Sequence, residues 1–307
     1  MCYTYSKSVI YSYSIHQRKT RGYTVSKKVK DMRRVKGMPP MSVVVPFIMV
    51  NRTGASNLLE DRIEVEKIEE YIRDKKAEMP NLSIMHIFIA SYVRLVSQRP
   101  ALNRFIRGQR VWTRKSVEIA LTIKKEMTLE SPDTVIKIVL QPDATLKDVY
   151  DTLNKTIEDY RNDSGSEFDN TAKVFNYLPS LLFKFAIHLI KTLDYFNLMP
   201  KFFAKVSPFH CSYFITSMGS LGIPSIFHHL YDFGTCPIFF AFGKKTRVYE
   251  LDEEGAVHKR TYVDYKYTLD ERICDGYYYA SALRYWKNLL KNPAQLEEVP
   301  TVVDDID

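Results

Sequence analysis

Hydrophobic and polar positions along the chain predict a mixed fold of strands and helices. Alternating or short apolar runs between turn residues are typical of strands, and apolar positions every three or four residues are typical of amphipathic helices. The strand-like segments are residues 43–50, 116–124, 134–140, 212–218, 236–243, 246–250 and 257–268, with a hairpin over 104–113 that turns at Gly108. The helix-like segments are residues 61–79, 84–98 (with Ser83 as its N-cap), 145–161 and 277–291. We therefore expect a mixed α/β domain in which helices flank a sheet.

Charge divides the chain into an arm, a domain and a tail. The net charge is +8 over 307 residues, but residues 1–37 hold ten Lys or Arg against Asp31 alone, so the remainder is close to neutral. We predict a flexible basic arm over 1–37, a domain over 38–295 and a frayed acidic tail over 296–307. Aromatic residues of the arm alternate with Ser and Thr rather than with its basic cluster, so we expect no nucleic-acid partner.

The most apolar stretch, residues 174–206, belongs to an insertion over 171–206 that follows a polar loop at 162–170. A membrane-spanning helix needs about 20 largely uncharged apolar residues. Charged residues and prolines interrupt this stretch, namely Lys184, Lys191, Asp194, Pro179 and Pro200. We predict that it forms extra core or a subunit contact, with an acyl-chain pocket or a membrane-surface patch as alternatives.

Cysteine usage indicates a reducing compartment. Cys2, Cys211, Cys236 and Cys274 are far apart and form no CxxC pair, which favours neither a zinc site nor a disulfide framework. The first residues lack the basic-then-apolar order of a signal peptide. The sequence also has no Gly-rich phosphate loop and no metal-spaced His/Glu cluster. We expect a cytoplasmic protein that binds no metal.

Three motifs carry a resemblance to a known family. Asp270-Glu271-Arg272-Ile273-Cys274-Asp275-Gly276 resembles the Asp-His-Arg-x-x-Asp-Gly signature of the dihydrolipoyl acyltransferase catalytic domain of 2-oxoacid dehydrogenase complexes, and the related His-His-x-x-x-Asp-Gly of chloramphenicol acetyltransferases. Residues 214–222 are similar to the family's Phe-Thr-Ile-Ser-Asn-x-Gly strand and turn, and Pro100-Ala101-Leu102-Asn103 to its Pro-x-Leu-Asn. The resemblance covers roughly residues 40–293. It implies the chloramphenicol acetyltransferase-like fold of CoA-dependent acyltransferases.

The resemblance also implies a reaction and a set of site residues. In the family a thiol attacks a thioester carbonyl, a neutral His takes the thiol proton, and a Ser or Thr hydroxyl donates to the oxyanion. Thr216 falls on the hydroxyl position. Asp275 falls on the Asp that, in the resemblance, holds the active-site loop, which it does in the acetyltransferases through an Arg. The candidate coenzyme A contacts are Ser217, Gly219 and Ser220. The expected partners are acyl-CoA, as a substrate rather than a tightly bound cofactor, an unidentified acceptor, and further copies of the chain in a homotrimer.

Glu271 occupies the position of the family's catalytic His. Replacing His by an ordinary Glu widens the pKa gap between base and thiol by about 2 units, or about a hundredfold in driving force. The neighbouring Arg272 is a candidate ion-pair partner for Glu271. His228 or His229 is a second candidate base, acting within the chain or from a neighbouring subunit.

Two functions therefore remain open. One is a CoA-dependent acyltransferase, and the other is a weak or inactive relative that binds acyl-CoA or scaffolds a complex. Among family members the chain is similar to stand-alone bacterial proteins that carry an Asp-Glu-Arg-Ile-Cys-Asp-Gly motif. No lipoyl-bearing domain is recognised in the sequence, so we do not expect a complete core subunit of a dehydrogenase complex.

Overall fold

The computed structural model describes residues 31–124, 133–162 and 179–305. Its strands are β1 Met32–Arg34, β2 Ser56–Glu64, β3 Arg104–Arg107, β4 Arg110–Arg114, β5 Val117–Lys124, β6 Asp133–Leu140, β7 Tyr213–Ser217, β8 Ile238–Leu251 and β9 Val257–Asp270. Its helices are α1 Pro40–Ile48, α2 Glu66–Asp74, α3 Ile84–Gln98, α4 Leu146–Asn162, α5 Ser180–Tyr195, α6 Lys201–Val206 and α7 Gly276–Lys291. The expected mixed α/β class is confirmed.

Two sheets form from these strands. The larger has the order β2-β9-β8-β7-β5-β6, and β7 runs parallel to both of its neighbours while the other pairs are antiparallel. The smaller is antiparallel with the order β1-β4-β3. The polar 162–170 loop lies outside the described residues except for Asn162, which ends α4.

The two faces of the larger sheet bury different clusters, as strand alternation requires. Tyr213 and Ile215 of β7 enter the main core, which includes side chains from α2, α3, α4 and α7. Trp286 of α7 is fully buried there, and its indole N–H donates to Ser91 Oγ at 2.8 Å. Phe214 points the other way, into a smaller cluster with Phe239. Thr216 therefore shares a face with Phe214.

Three sequence-based predictions of local structure were wrong in part. Residues 43–50 were expected as a strand, but Pro40–Ile48 is a helix with Pro40 in its first turn; an unbroken apolar run does not distinguish the two by periodicity. Residues 61–79 were expected as one helix, but β2 pairs with β9 through Glu64 before α2 begins. The segments 236–243 and 246–250 form the single strand β8, interrupted by a bulge between Phe242 and Lys245.

Both ends of the described chain lie against the rest of the domain. Met32–Arg34 pairs with β4, inside the expected arm. In the expected tail, Val303 N–H donates to Ser97 O at 2.8 Å and Asp305 forms an ion pair with Arg104. The hydrogen bond and the ion pair hold the acidic tail against the domain. Within the described residues, no helix is long and apolar enough to cross a membrane.

Candidate active site

Glu271 lies at the end of β9, where the strand turns towards α7. Its backbone N–H donates to Ala55 O at 3.0 Å, which ties the turn to the segment before β2. Its side chain is half-buried. Among the residues that the structure describes, no hydrogen bond or ion pair reaches the Glu271 carboxylate.

Arg272 does not pair with Glu271, as the sequence had suggested, but with Asp270. Asp270 is fully buried, and it accepts from Arg272 Nε at 2.8 Å and Arg272 Nη2 at 2.7 Å. Arg272 Nη1 donates to Met49 O at 2.7 Å and Val50 O at 3.0 Å. The two-pronged ion pair therefore fixes the backbone on both sides of Glu271, a geometry that guanidinium and carboxylate groups favour.

A second arginine, Arg52, completes this buried cluster. Its Nη2 donates to Ile106 O at 2.9 Å, and its Nε lies 3.9 Å from Asp270 Oδ2. The sequence analysis missed Arg52 and Asp270 because they are far apart in the chain and no motif spacing links them. The available signal for Asp270 was the run of three charged residues, Asp270-Glu271-Arg272, directly after a strand with a buried face.

Asp275 has a local role. It is the N-cap of α7, and its Oδ1 accepts from Tyr278 N–H at 2.8 Å. This is a usual position for Asp, since the first N–H groups of a helix lack partners within the helix. The arginine contact expected of a loop-holding Asp is made by Asp270 instead.

Thr216 lies near the carboxyl end of β7, opposite Ala241 in the parallel ladder. Its side chain is 7% exposed. Within the described residues its hydroxyl has no hydrogen bond, so its donor is available to another group. After the strand, Ser220 Oγ donates to Ser217 O at 2.8 Å, which closes the turn.

Gly219 lets this turn approach β8 closely. A Cβ at Gly219 would lie 2.6 Å from Gly243 O, and a Cβ at Gly243 would lie 2.5 Å from Ser225 N. Met218 N–H donates to Phe242 O at 2.8 Å, which holds the contact. Gly219 therefore serves close packing of the turn in this chain, while Ser217 and Ser220 bond within it.

His228 lies on the same sheet face as Thr216. Its ring stacks on Phe239 with a centroid distance of 3.9 Å, and Phe239 pairs with Phe214, two residues before Thr216. Two residues of a strand span about 7 Å. Burial lowers the pKa of His228, so its ring is neutral at pH 7. His229 is exposed, with its ring against Tyr231.

Thr216 and Glu271 lie at different levels of the sheet within one chain. The register places Thr216 level with Ala241 and, on the next strand, with Lys266. Glu271 follows five residues after Lys266, which is about 16 Å along the strand direction. One chain therefore does not bring the Thr216 hydroxyl and the Glu271 carboxylate together.

A second buried acid was also missed by sequence reasoning. Asp194 of α5 lies 3.0 Å from Arg107 Nε and 3.2 Å from His210 Nε2. His210 Nδ1 is 2.8 Å from Ser207 Oγ. His210 precedes β7. Its ion-pair partner, on an apolar insertion, left no pattern in the sequence.

Comparison with solved structures supports the fold. The sequence matches no protein-family model and no curated protein. A probable dihydrolipoamide acetyltransferase from Listeria monocytogenes superposes with a TM-score of 0.54 at 13% identity, over 83% of this chain and 94% of that one. The cubic core of the pyruvate dehydrogenase multienzyme complex gives 0.53 at 12%, over 84% and 93%. A truncated catalytic core of the 2-oxoacid dehydrogenase complex from Thermoplasma acidophilum gives 0.52 at 13%, over 85% and 99%. The expected acyltransferase-core fold is thus confirmed.

Proposed function

We propose that the protein is an acyltransferase that moves an acyl group between a thioester, such as acyl-CoA, and a thiol or another acceptor. The observation that carries the proposal is the position of Thr216. Thr216 lies near the carboxyl end of a central strand of an acyltransferase-core fold, beside the tightly packed Gly219 turn. Its hydroxyl has no hydrogen bond within the described residues. A donor held in this way is suited to an oxyanion.

In the proposed reaction the acceptor thiol adds to the thioester carbonyl as a base removes the thiol proton. The carbonyl oxygen then carries a negative charge, to which the Thr216 hydroxyl donates a hydrogen bond. Collapse of this intermediate expels the donor thiolate, which takes up a proton. Removing one oxyanion donor typically lowers kcat by about 10²–10³.

Two residues compete for the role of base. Glu271 stands at the family position on a backbone clamped by the Asp270–Arg272 pair, and its carboxylate has no partner within the described residues. His228 has a ring kept neutral by burial, on the face that carries Thr216. Glu271 and His228 are each tested by a separate variant in the assay below.

The homotrimer is part of the proposal. Thr216 and Glu271 are about 16 Å apart along the strands, so a site that uses both requires two copies of the chain. Coenzyme A would approach the Ser217, Gly219 and Ser220 turn of one copy. A site completed by His228 needs no second copy, which makes the oligomeric dependence of activity informative.

The test is a thiol-release assay with a panel of acyl-CoA donors and acceptors. We expect Thr216→Ala to lower kcat by about 10²–10³, and loss of the true base, by Glu271→Gln or His228→Gln, to lower it by about 10²–10⁴. Thr246→Ala and Glu254→Gln change exposed residues of β8 and the turn after it, and both should leave activity unchanged.

Activity that survives both Thr216→Ala and Glu271→Gln would overturn the assignment of the site. A parent protein that binds acyl-CoA by calorimetry, yet releases no thiol with any acceptor, would favour the alternative of a binding or scaffolding module. That alternative is motivated by the carboxylate at position 271, where the resemblance places a neutral base.

A further inference from the structure

Helix α5 exposes an apolar stripe to solvent. Leu181, Leu182, Phe185 and Leu189 are 80%, 55%, 65% and 47% exposed. Positions 181, 185 and 189 are four residues apart, so they lie along one side of a helix with 3.6 residues per turn. The opposite side is anchored, because Asp194 is buried. This side of α5 is therefore not part of the chain's own core, which was one of the alternatives that the sequence left open beside a subunit contact, an acyl-chain pocket and a membrane-surface patch.

Within residues 179–206 the exposed charges are all basic. In residues 179–206 the lysines are Lys184, Lys191, Lys201 and Lys205, each exposed, and the acidic residue is Asp194, which is buried against Arg107. The α5–α6 segment therefore combines an outward apolar face with an outward positive charge.

Further exposed apolar side chains follow α5 along the chain. Phe196 and Leu198 of the connection and Phe202 of α6 are 64%, 67% and 57% exposed. Val50, which follows α1 and is also exposed, lines one cleft together with Lys191. Large exposed apolar areas are uncommon on soluble monomers and mark contact surfaces.

Buried polar contacts hold this surface in place from below. Asp194 contacts Arg107 and His210 at the end of α5. The half-buried Lys137 of β6 donates to Ala204 O within α6 at 2.8 Å and to His210 O after it at 3.0 Å. The apolar side chains are thus presented on an anchored support.

We propose that α5 and α6 form a docking surface for an anionic lipid bilayer, with the Leu181–Phe185–Leu189 stripe inserted among the acyl chains and the lysines on the headgroups. Helices with an apolar face and a basic polar face bind in this way. A two-fold contact of this surface with itself fits less well, because it would place lysines against lysines. A contact with a different surface of a neighbouring copy is an outcome that the test below distinguishes. The proposal is independent of the acyltransferase chemistry.

The test is flotation of the full chain with phosphatidylcholine vesicles and with vesicles that also contain phosphatidylglycerol. We expect flotation with the anionic vesicles alone, and we expect it to weaken as salt is added. Phe185→Glu should abolish it. Lys184→Glu and Lys191→Glu should each weaken partitioning at least about fivefold, the usual effect of one lysine near an anionic bilayer. The matched controls Leu251→Glu and Lys259→Glu, exposed on β8 and β9, should float like the parent.

Three results would overturn the proposal. The first is no flotation with the anionic vesicles. The second is flotation that Phe185→Glu and the lysine variants leave unchanged, since the basic residues 1–37 would then account for binding. The third is a lower mass by light scattering for Phe185→Glu, with vesicle binding unchanged, because the stripe would then be a subunit contact.

Discussion

Two buried aspartates, Asp270 and Asp194, hold different parts of the molecule in place by different means. Asp270 is fully buried and bonded in two places to Arg272, and it clamps the backbone around Glu271. Asp194 fastens α5 to the hairpin strand that carries Arg107, and to His210 before β7. The carboxylate of Asp270 contacts the guanidinium of Arg272. The carboxylate of Asp194 contacts both the guanidinium of Arg107 and the imidazole of His210.

The difference concerns how each clamp responds to pH. The direct side-chain partner of Asp270 is the guanidinium of Arg272, whereas Asp194 contacts the imidazole of His210. Burial lowers the pKa of His210, more than contact with Asp194 raises it. Burial also opposes ionisation of Asp194, but His210 and Arg107 outweigh it and lower its pKa. The anchor of the insertion therefore contains an imidazole whose pKa is shifted by burial.

The largest expected effect is that of Asp270→Asn. It leaves the buried Arg272 without its carboxylate, and breaking a buried ion pair on one side destabilises a protein by about 3–5 kcal/mol. Urea unfolding at neutral pH measures the change. Asp61→Asn is the matched control, since Asp61 pairs with Lys287 at the surface and exposed pairs contribute about 0–1 kcal/mol. An equal loss of stability in both variants would contradict the clamp.

A smaller effect is expected for Asp194→Asn, about 2–3 kcal/mol by the same measurement. Arg107 keeps a partner in this variant, because its Nη1 donates to Asn197 Oδ1 at 2.8 Å. Amide exchange should become faster within α5 and stay unchanged within α3. The exposed Asp151, paired with Lys147 on α4, supplies the control Asp151→Asn. Unchanged exchange in α5 would show that Asp194 does not anchor the helix.

Much of the fold was predictable from the sequence, and the exceptions have a physical cause. The hairpin at Gly108, the strands β5 and β6 and the helices α3, α4 and α7 follow the predicted periodicities within a few residues. β2 was misread because its pairing with β9 is decided by tertiary contacts, and such contacts override local propensity.

The candidate site was predictable in position but not in its contacts. The motif around Glu271 and the strand that carries Thr216 could be located from the amino-acid sequence. The exchange of roles between Asp270 and Asp275 could not, because either acid lies within reach of an arginine in the sequence. Only the turn after β9 directs Asp270 inward, to Arg272, and Asp275 outward, to the first turn of α7.

The smallest effect distinguishes the two clamps by pH. Because the pKa of His210 is lower in the folded protein than in the unfolded chain, the unfolded chain binds more protons below about pH 6.5. The stability that neutral His210 contributes is therefore complete above that pH and is lost as the pH falls through it. Asp194, whose pKa is already lowered, stays ionised across this window.

We therefore expect unfolding free energy to fall between pH 7.5 and pH 5.5, and to fall less in His210→Gln, whose amide can still donate to Asp194 but does not titrate. His86 and His228, whose pKa values burial also lowers, account for a remaining slope. His229→Gln, at an exposed ring, is the control and should keep the parent's slope. An identical slope in His210→Gln and the parent would mean that His210 is not the pH-dependent part of the anchor.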